Sequence, residues 1–521
     1  MRDFERPTVW VDDGDLAGQA DETWQALAQW STLHDPPRVI VNSGGHLARS
    51  TERDVEPFDR FSLREEASRA ARFAKMDAKA NARPVYPPGE VIDALLKRDP
   101  REYTDVPRVN AVVDVPVVAP SGEIVAEPGL HPSGILYRPK PGLENVFVED
   151  VEHADEVEWA KDILLHHLLG DFEFKNQASR ANALGLVLLP FVRHYIGADP
   201  TPMHFVGAPQ PGSGKTYLVQ AALIPGCDLV GMASEPQNEE ELRKLITSGL
   251  MRGRPAVVFD NLTTRMTFGT LASALTSRVW QDRVLGQSKE IDIPIRCVWA
   301  ATGNNIEGND DLADRVCPIQ LNPRGGVPAR QRPANYFRHA DLHEWATANR
   351  AQLVSACLTL VRHWFQGLPR LRPDGTFYRR RDDHGSLMIV QPERSLGSYG
   401  KWAQVVGGIL AAANVEGFLA NVEEYKADMN PEAQEVADFF RAWREHIPVP
   451  VTSDDVAQAC GPGGVLRPYM PTAIGDRELR KTLRYWLRSR RGQTHQGLTL
   501  QAAGRSPMLW QVTENGQGGT T

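Results

Sequence analysis

Residues 203–216, Met-His-Phe-Val-Gly-Ala-Pro-Gln-Pro-Gly-Ser-Gly-Lys-Thr, carry the densest chemistry in the sequence. An apolar run enters a glycine- and proline-rich turn, and Gly214-Lys215-Thr216 then opens a second apolar run, Tyr217–Leu223. Strand, loop and helix in that order are what a phosphate-cradling loop requires. Gly212, Ser213 and Gly214 allow the backbone to curl until successive N–H groups face phosphate oxygens. Lys215 supplies an ammonium for the β- and γ-phosphates, and Thr216 a hydroxyl for Mg2+. The chemistry expected is the binding of ATP with Mg2+. One position departs from the strict pattern: Pro209 stands six residues before Lys215, where glycine is usual, and Gly207 lies two residues earlier.

Such a loop needs a carboxylate on a neighbouring strand to hold the metal's water shell. Ala256-Val-Val-Phe-Asp260 supplies four apolar residues and then Asp260, 45 residues after Lys215. The next residue is Asn261, where many hydrolysing proteins carry a glutamate that activates water, and an amide cannot take that proton. Glu235, Glu239 and Glu240 are the alternative bases; slow turnover is the other reading. A third apolar strand, Cys297-Val-Trp-Ala-Ala-Thr-Gly-Asn-Asn305, ends in a γ-phosphate sensor, Asn304 in preference to Asn305. Ten residues or so further, Arg315 has the place of an arginine finger for a neighbouring subunit's phosphate, with a surface salt bridge as the alternative.

Two elements have the composition of nucleic-acid contacts. Trp280–Pro294 places β-rich arms around Gly286-Gln-Ser-Lys289, a hairpin pattern with Lys289 near the tip and Arg283 on the first arm. In a ring of subunits such a tip faces the pore, where an ammonium can follow phosphates. Residues 476–491 repeat leucine and tryptophan at 479, 483, 486 and 487 on one helix face. Arg477, Lys481, Arg484, Arg488 and Arg491 step along another. From 476 to 505 there are eight Lys/Arg against two Asp/Glu. A turn and a second strand, Pro507–Val512, follow, which is the layout of a winged helix with a basic recognition helix.

These residues sit in a chain of 521, enough for three or four domains of roughly 150 residues. Lys and Arg number 58 against 66 Asp and Glu, so the net charge of −8 excludes a wholly basic nucleic-acid coat. Five scattered cysteines, never paired as CxxC, predict a reducing compartment without disulfides or zinc. MRDFERPTVWVDDGD has no apolar signal core, and the greasy run Ala183–Val192 contains Pro190 and is short of the ~20 residues that span a bilayer. A cytoplasmic protein without membrane contact is expected. Composition shifts predict an α+β accessory domain at 1–149, with strands at Pro7–Val11, Arg38–Asn42 and Ala111–Ala119 and a charged helix near Leu63–Ala80. A helical collar or linker follows at 150–198, an α/β nucleotide-binding core at 199–325 and a helical domain at 326–428. The winged helix occupies 429–513, and 514–521 form a disordered tail. Asp12-Asp13-Gly14-Asp15 reads as a turn rather than a metal site. His166 and His167 point about 100° apart on a helix, so one takes a core and one a surface role. Arg379–Arg381 form a charged loop that either touches DNA or is simply solvated.

Taken in order, PGSGKT, VVFDN, the hairpin and ATGNN resemble the AAA+ ATPase core of superfamily 3 and related helicases. LLGDFEF, RANALGLVLLPFVR, WQDRVLG, LGSYGKWAQVVGGIL and the GLTLQAAG…LWQV ending resemble phage- and mobile-element primase/helicase-type ATPases. The resemblance spans the chain from about residue 35. It implies an α/β fold with an AAA+ P-loop core, the N-terminal α+β domain, helical segments and a C-terminal winged helix. It further implies a homo-oligomer, often a hexamer, that hydrolyses ATP and moves along single-stranded DNA through its pore, with duplex at the winged helix. Lys215, Thr216, Asp260 and Asn304 carry over as nucleotide residues and Lys289 as the pore residue. No primase carboxylate set is found in the first 150 residues. The expected function is a replicative helicase or initiator-helicase. The alternatives are a nucleotide-gated DNA scaffold or helicase loader, and an ATPase of anti-phage defence.

Overall fold

Five apolar runs set the architecture. In the computed structural model they form a five-stranded, all-parallel sheet; four of its strands are largely buried, as continuous Val/Ala/Phe runs require, while the edge strand Met232–Ser234 is half-exposed. The structure describes the chain apart from residues 1–4, 12–13, 35–36, 43–44, 52–54, 100–101, 145, 147–148, 263–268, 284–289, 304–309, 324–330, 334–335, 368, 382–384, 430, 476, 496, 504–507 and 515–521. In chain order the core elements are helix α1 (Gln177–Ile196), strand β1 (Met203–Gly207), α2 (Lys215–Cys227), β2 (Met232–Ser234), α3 (Glu239–Met251) and β3 (Ala256–Leu262). A hairpin of β4 (Val279–Arg283) and β5 (Glu290–Pro294) follows, then β6 (Val298–Gly303) and β7 (Val316–Gln320). The strand order is β2-β3-β6-β1-β7, so the two strands that flank β1 are β6 and β7.

α1 is buried along nearly its whole length, and it runs through Pro190 rather than stopping there. Proline removes one N–H from the ladder, but the packing of a wholly buried helix outweighs that loss. Among the described residues no helix is long and apolar enough to cross a membrane. The Gly214 φ of +88° and Gly212 φ of +77° lie in the left-handed region, so the loop before α2 depends on glycine at both places.

The chain divides into two compact units, one of residues 1–306 and 314–421, the other of 307–313 and 422–521. In the first, the N-terminal residues build a three-stranded sheet (Thr8–Trp10, Arg72–Met76, Ala82–Val85) and a four-stranded sheet containing Val39–Asn42. Leu27, Val39, Leu63 and Phe73 share one core there. The charged helix expected over Leu63–Ala80 ends earlier, spanning Arg60–Ala70, because Arg72–Met76 pairs with two strands. The expected strand Ala111–Ala119 is split into Ala111–Val113 and Val117–Val118. Arg350 at the start of α4 (Arg350–Phe365) ties this part to the sheet, donating to both oxygens of Asp114 at 2.8 and 2.9 Å.

In the second unit, Pro431–His446, Ser453–Ala459 and α5 (Leu479–Ser489) pack with the antiparallel pair β8 (Leu498–Ala503) and β9 (Leu509–Glu514). Phe439, Trp443, Leu483, Trp486, Leu500 and Trp510 form its core.

Candidate functional site

The loop between β1 and α2 opens onto a cavity of about 720 Å3 lined by Gly212–Tyr217, Asp260 and Asn261. Thr216 Oγ1 donates to Asp260 Oδ1 at 2.7 Å, and Thr302 Oγ1 donates to the same oxygen at 2.7 Å. Lys215 is only 7% exposed. Burial lowers its ammonium pKa from the ordinary lysine value, and the Asp260 carboxylate opposes part of that shift. Ser213 is also buried, its hydroxyl donating to the Gln210 carbonyl at 2.7 Å, which ties down the loop. A buried ammonium, a hydroxyl and a carboxylate thus meet at one end of the cavity. Together they can hold a phosphate chain and a divalent cation, with Thr216 and Asp260 the oxygen donors that suit Mg2+.

The other end of the cavity is built from residues distant in sequence. Asp171, Phe172 and Glu173 line it, opposite Arg332, Phe337, His339 and Leu342. Arg332 and Glu173 form an ion pair with side chains 7% and 11% exposed, and the Tyr336 hydroxyl donates to the same carboxylate at 2.5 Å. The Arg338 N–H donates to Asp171 Oδ2 at 2.9 Å. Tyr217, the residue after Thr216, holds residues 341–343. Its hydroxyl accepts the Leu342 N–H at 3.0 Å and donates to Asp341 at 3.2 Å, and its ring stacks on His343 at 3.8 Å. Burial, the largest cause, lowers the His339 pKa, which favours a neutral imidazole in the cavity wall.

Asn261 has φ +55°, and the register between β3 and β6 slips there, so that Asp260 and Asn261 together face Thr302. Asparagine tolerates this left-handed conformation better than most residues, which gives it a backbone reason for standing where a glutamate was expected. None of the three proposed substitute bases lines the cavity. Glu239 accepts the Thr270 N–H at 3.3 Å, and Glu240 pairs with Lys244 at 2.5 Å one helical turn away. The cavity's carboxylates are instead Asp171, Glu173 and Asp260. LLGDFEF contributed only to the family likeness; an acidic pair beside an aromatic was the available signal.

Asn304 and Asn305 lie outside the described residues, as does Lys289. β6 does deliver Thr302 and Gly303 beside β1, with Thr302 opposite Val206 and Gly303 opposite Gly207. Arg315 lies at the opposite end of the sheet, its carbonyl accepting the Met203 N–H at 3.0 Å at the start of β1. Five strand residues separate that point from the phosphate loop, about 16 Å at ~3.3 Å each. The hairpin arms pair in register from Val279↔Pro294 to Arg283↔Glu290. Its first arm is fixed by Asp282, which accepts from Arg243 Nε at 2.6 Å and from the Thr247 hydroxyl, while Trp280 Nε1 donates to that hydroxyl at 2.8 Å.

In the second unit, α5 buries Leu483, Trp486 and Leu487 and exposes the basic residues. Two of those have acidic partners: Arg484 Nη2 donates to both oxygens of Asp454 at 2.8 Å, and Lys481 pairs with Glu478 at 3.0 Å. Arg477, Arg480, Arg488 and Arg491 are exposed and make no ion pair among the described residues, but Arg477 and Arg491, expected on the helix face, lie beyond the two ends of α5. Tyr485 is 78% exposed on the same face.

Three other expectations meet the structure here. Asp15 caps a helix by accepting the Gly18 N–H at 2.8 Å, and no metal-ligand cluster occurs among the described residues; Asp12 and Asp13 lie outside them. Neither His166 nor His167 is a core residue: His166 is exposed, and His167 is half-buried against His339 and Trp345. Arg379 is not a free surface cation, since it donates to the Val151 carbonyl and to Gln366 Oε1, both at 2.9 Å.

A parallel sheet with a glycine-rich loop running from its strand β1 into a buried lysine and a helix is the arrangement of a P-loop nucleotide-binding core. No protein-family profile matches the chain, and no curated protein resembles it in sequence. Two similar solved structures are helicases. JCV helicase, crystallised with an acetamide compound, is 17% identical over 41% of this chain and 63% of that one, with a TM-score of 0.21. The SCCmec type IV Cch protein, an active helicase, is 12% identical over 83% of this chain and 84% of that one, with a TM-score of 0.33. The chain thus spans less than two thirds of the JCV helicase chain. Similarity this low assigns neither a site nor an activity.

Proposed function

We propose that this chain is a DNA-dependent ATPase that assembles into a ring, most simply a hexamer, and moves DNA as a replicative or initiator helicase of a phage or integrated element. The observation that carries the reading is the convergence of buried Lys215, Thr216 and Asp260 at one end of a nucleotide-sized cavity. In this reading Gly212–Thr216 hold the phosphates, and Thr216 and Asp260 hold Mg2+. Asn304 senses the γ-phosphate. Arg315 serves a neighbouring subunit, and its distance from its own loop suits a role in trans. Lys289 and Arg283 meet a single strand at the pore. The C-terminal unit acts as a winged helix on duplex, with Arg477, Arg488 and Arg491 bearing the phosphates and Arg484 and Lys481 held back by their acidic partners.

A second reading has one observation in its favour. Among the residues lining the cavity, Asp171 is engaged by the Arg338 N–H, Glu173 by Arg332 and Asp260 by two hydroxyls, so none is a free general base. A chain that binds ATP and turns it over slowly would be a nucleotide-gated scaffold or helicase loader, in replication or in anti-phage defence. A strand-displacement assay with ATP and a forked duplex separates the two. Unwinding supports the helicase; DNA binding that responds to ATP without unwinding supports the loader.

A further inference from the structure

We infer that Thr302 is a positioning residue for the metal end of the nucleotide site, holding the Asp260 carboxylate in place while it pins the turn at Asn261. The inference rests on the P-loop reading proposed above. A threonine hydroxyl has one proton to donate and two lone pairs to accept with. Thr302 uses its proton on Asp260 Oδ1 at 2.7 Å and takes the Asn261 N–H at 2.8 Å. It is 1% exposed, so water offers neither bond a substitute.

The geometry is coupled to the backbone. Phe259 pairs with Ala301 and Leu262 with Gly303, so two residues of β3 stand against Thr302 alone. This is one extra residue in the strand, a bulge, and bulges beside functional sites re-aim side chains. The Asn261 N–H, turned out of the ladder by its φ of +55°, finds its acceptor in the Thr302 hydroxyl. One side chain therefore holds both the carboxylate of Asp260 and the backbone N–H of Asn261, a residue that lines the cavity.

Thr216 is the other donor to Asp260 Oδ1, but its hydroxyl oxygen is the atom Mg2+ would take. The Thr302 bond has no such competitor, because Thr302 is buried and does not line the cavity, whereas Thr216 does. Thr302 is thus the restraint on Asp260 that persists when nucleotide and metal are bound. Partners of this kind, which orient a metal-binding group without touching the metal, typically cost 10–100-fold in metal affinity or activity when removed.

The test is ATP hydrolysis by the full chain as a function of Mg2+ at saturating ATP, for wild type, Thr302→Val and Thr302→Ser. It runs beside binding of a fluorescent ATP analogue in EDTA. Thr302→Val should raise the Mg2+ concentration at half-maximal rate by about 10-fold or more and lower kcat, with analogue binding in EDTA unchanged. Thr302→Ser, which keeps the hydroxyl, should restore the wild-type Mg2+ dependence. If Thr302→Val does not fold, Thr302→Cys, a weaker donor of similar shape, should give an intermediate shift. Wild-type Mg2+ dependence in the valine variant, or in the cysteine variant used in its place, overturns the inference alone, provided Lys215→Ala is inactive. A wild-type chain that binds no ATP overturns the P-loop reading and this inference with it.

Discussion

Thr216 Oγ1 and Asp260 Oδ1 stand 2.7 Å apart although 44 residues separate them in the chain. The bond joins the start of the helix after the glycine-rich loop to the strand two places away in the sheet, across β6. Loop and sheet are therefore joined through the two side chains proposed to hold the metal.

Asp260→Asn tests the metal half of that geometry. The amide still accepts from Thr216 and Thr302 through its oxygen but loses the charge that holds the metal's water shell. ATP hydrolysis should fall by about 100-fold or more, while binding of an ATP analogue in EDTA stays within the wild-type range. Equal turnover in the variant would remove Asp260 from the site.

The basic helix should divide by ion pairing rather than by sequence position. Arg488→Glu with Arg477→Glu should weaken duplex binding and lower the slope of log K against log salt by about 0.9 for each phosphate the variant no longer neutralises. Arg484→Glu should act differently, because it breaks the pair with Asp454 and places two carboxylates together. It should lower the unit's thermal midpoint as well as its DNA affinity. Salt-titrated anisotropy and thermal melts on the same variants check both. Identical behaviour of Arg484 and Arg488 variants would contradict the division.

How far the sequence could be read follows from how local each signal is. Glycine spacing and Lys215-Thr216 lie within six residues, so the loop was legible. The apolar strands before Asp260 and Thr302 were legible for the same reason. Glu173 and Arg332 meet from 159 positions apart, and no local pattern announces such a pair. Asn261 reads as a missing base because the chemistry of its side chain is visible in sequence and its φ of +55° is not. The helix expected to reach Ala80 ends at Ala70 since strand pairing, a tertiary effect, overrides the amphipathic pattern of the residues that follow.

Arg315 is predicted to act between subunits. Arg315→Ala should bind the ATP analogue as wild type does and lose most of its turnover, a loss on the order of 10^3-fold for an arginine finger. Mixing Arg315→Ala with Asp260→Asn chains should restore part of the rate, because some interfaces then pair an intact arginine with an intact carboxylate. No recovery on mixing would place Arg315 outside the reaction.

Acid should destabilise the fold through buried neutral histidines. Burial lowers the pKa of His204 and of His194 to about 3, with Arg296 and Arg193 adding to the effect at His194, against 6.5 for free histidine. The unfolded chain gains protons below pH 6.5 that the folded chain refuses until about pH 3, so stability is full above 6.5 and falls as pH drops through that window. Between pH 6.5 and 5 each histidine accounts for about 2 kcal/mol, at ~1.36 kcal/mol per unit. Urea midpoints at pH 7, 6 and 5 should decline in step. His204→Gln, which removes one titrating group, should flatten the decline, and a pH-independent midpoint would contradict the assignment.

Steady-state ATP hydrolysis by the purified chain, alone and with single-stranded or duplex DNA, tests the central claim most directly when run beside Lys215→Ala. The account predicts Mg2+-dependent turnover that single-stranded DNA stimulates and that Lys215→Ala abolishes. ATP turnover unchanged in Lys215→Ala, or no response to any DNA, would contradict it.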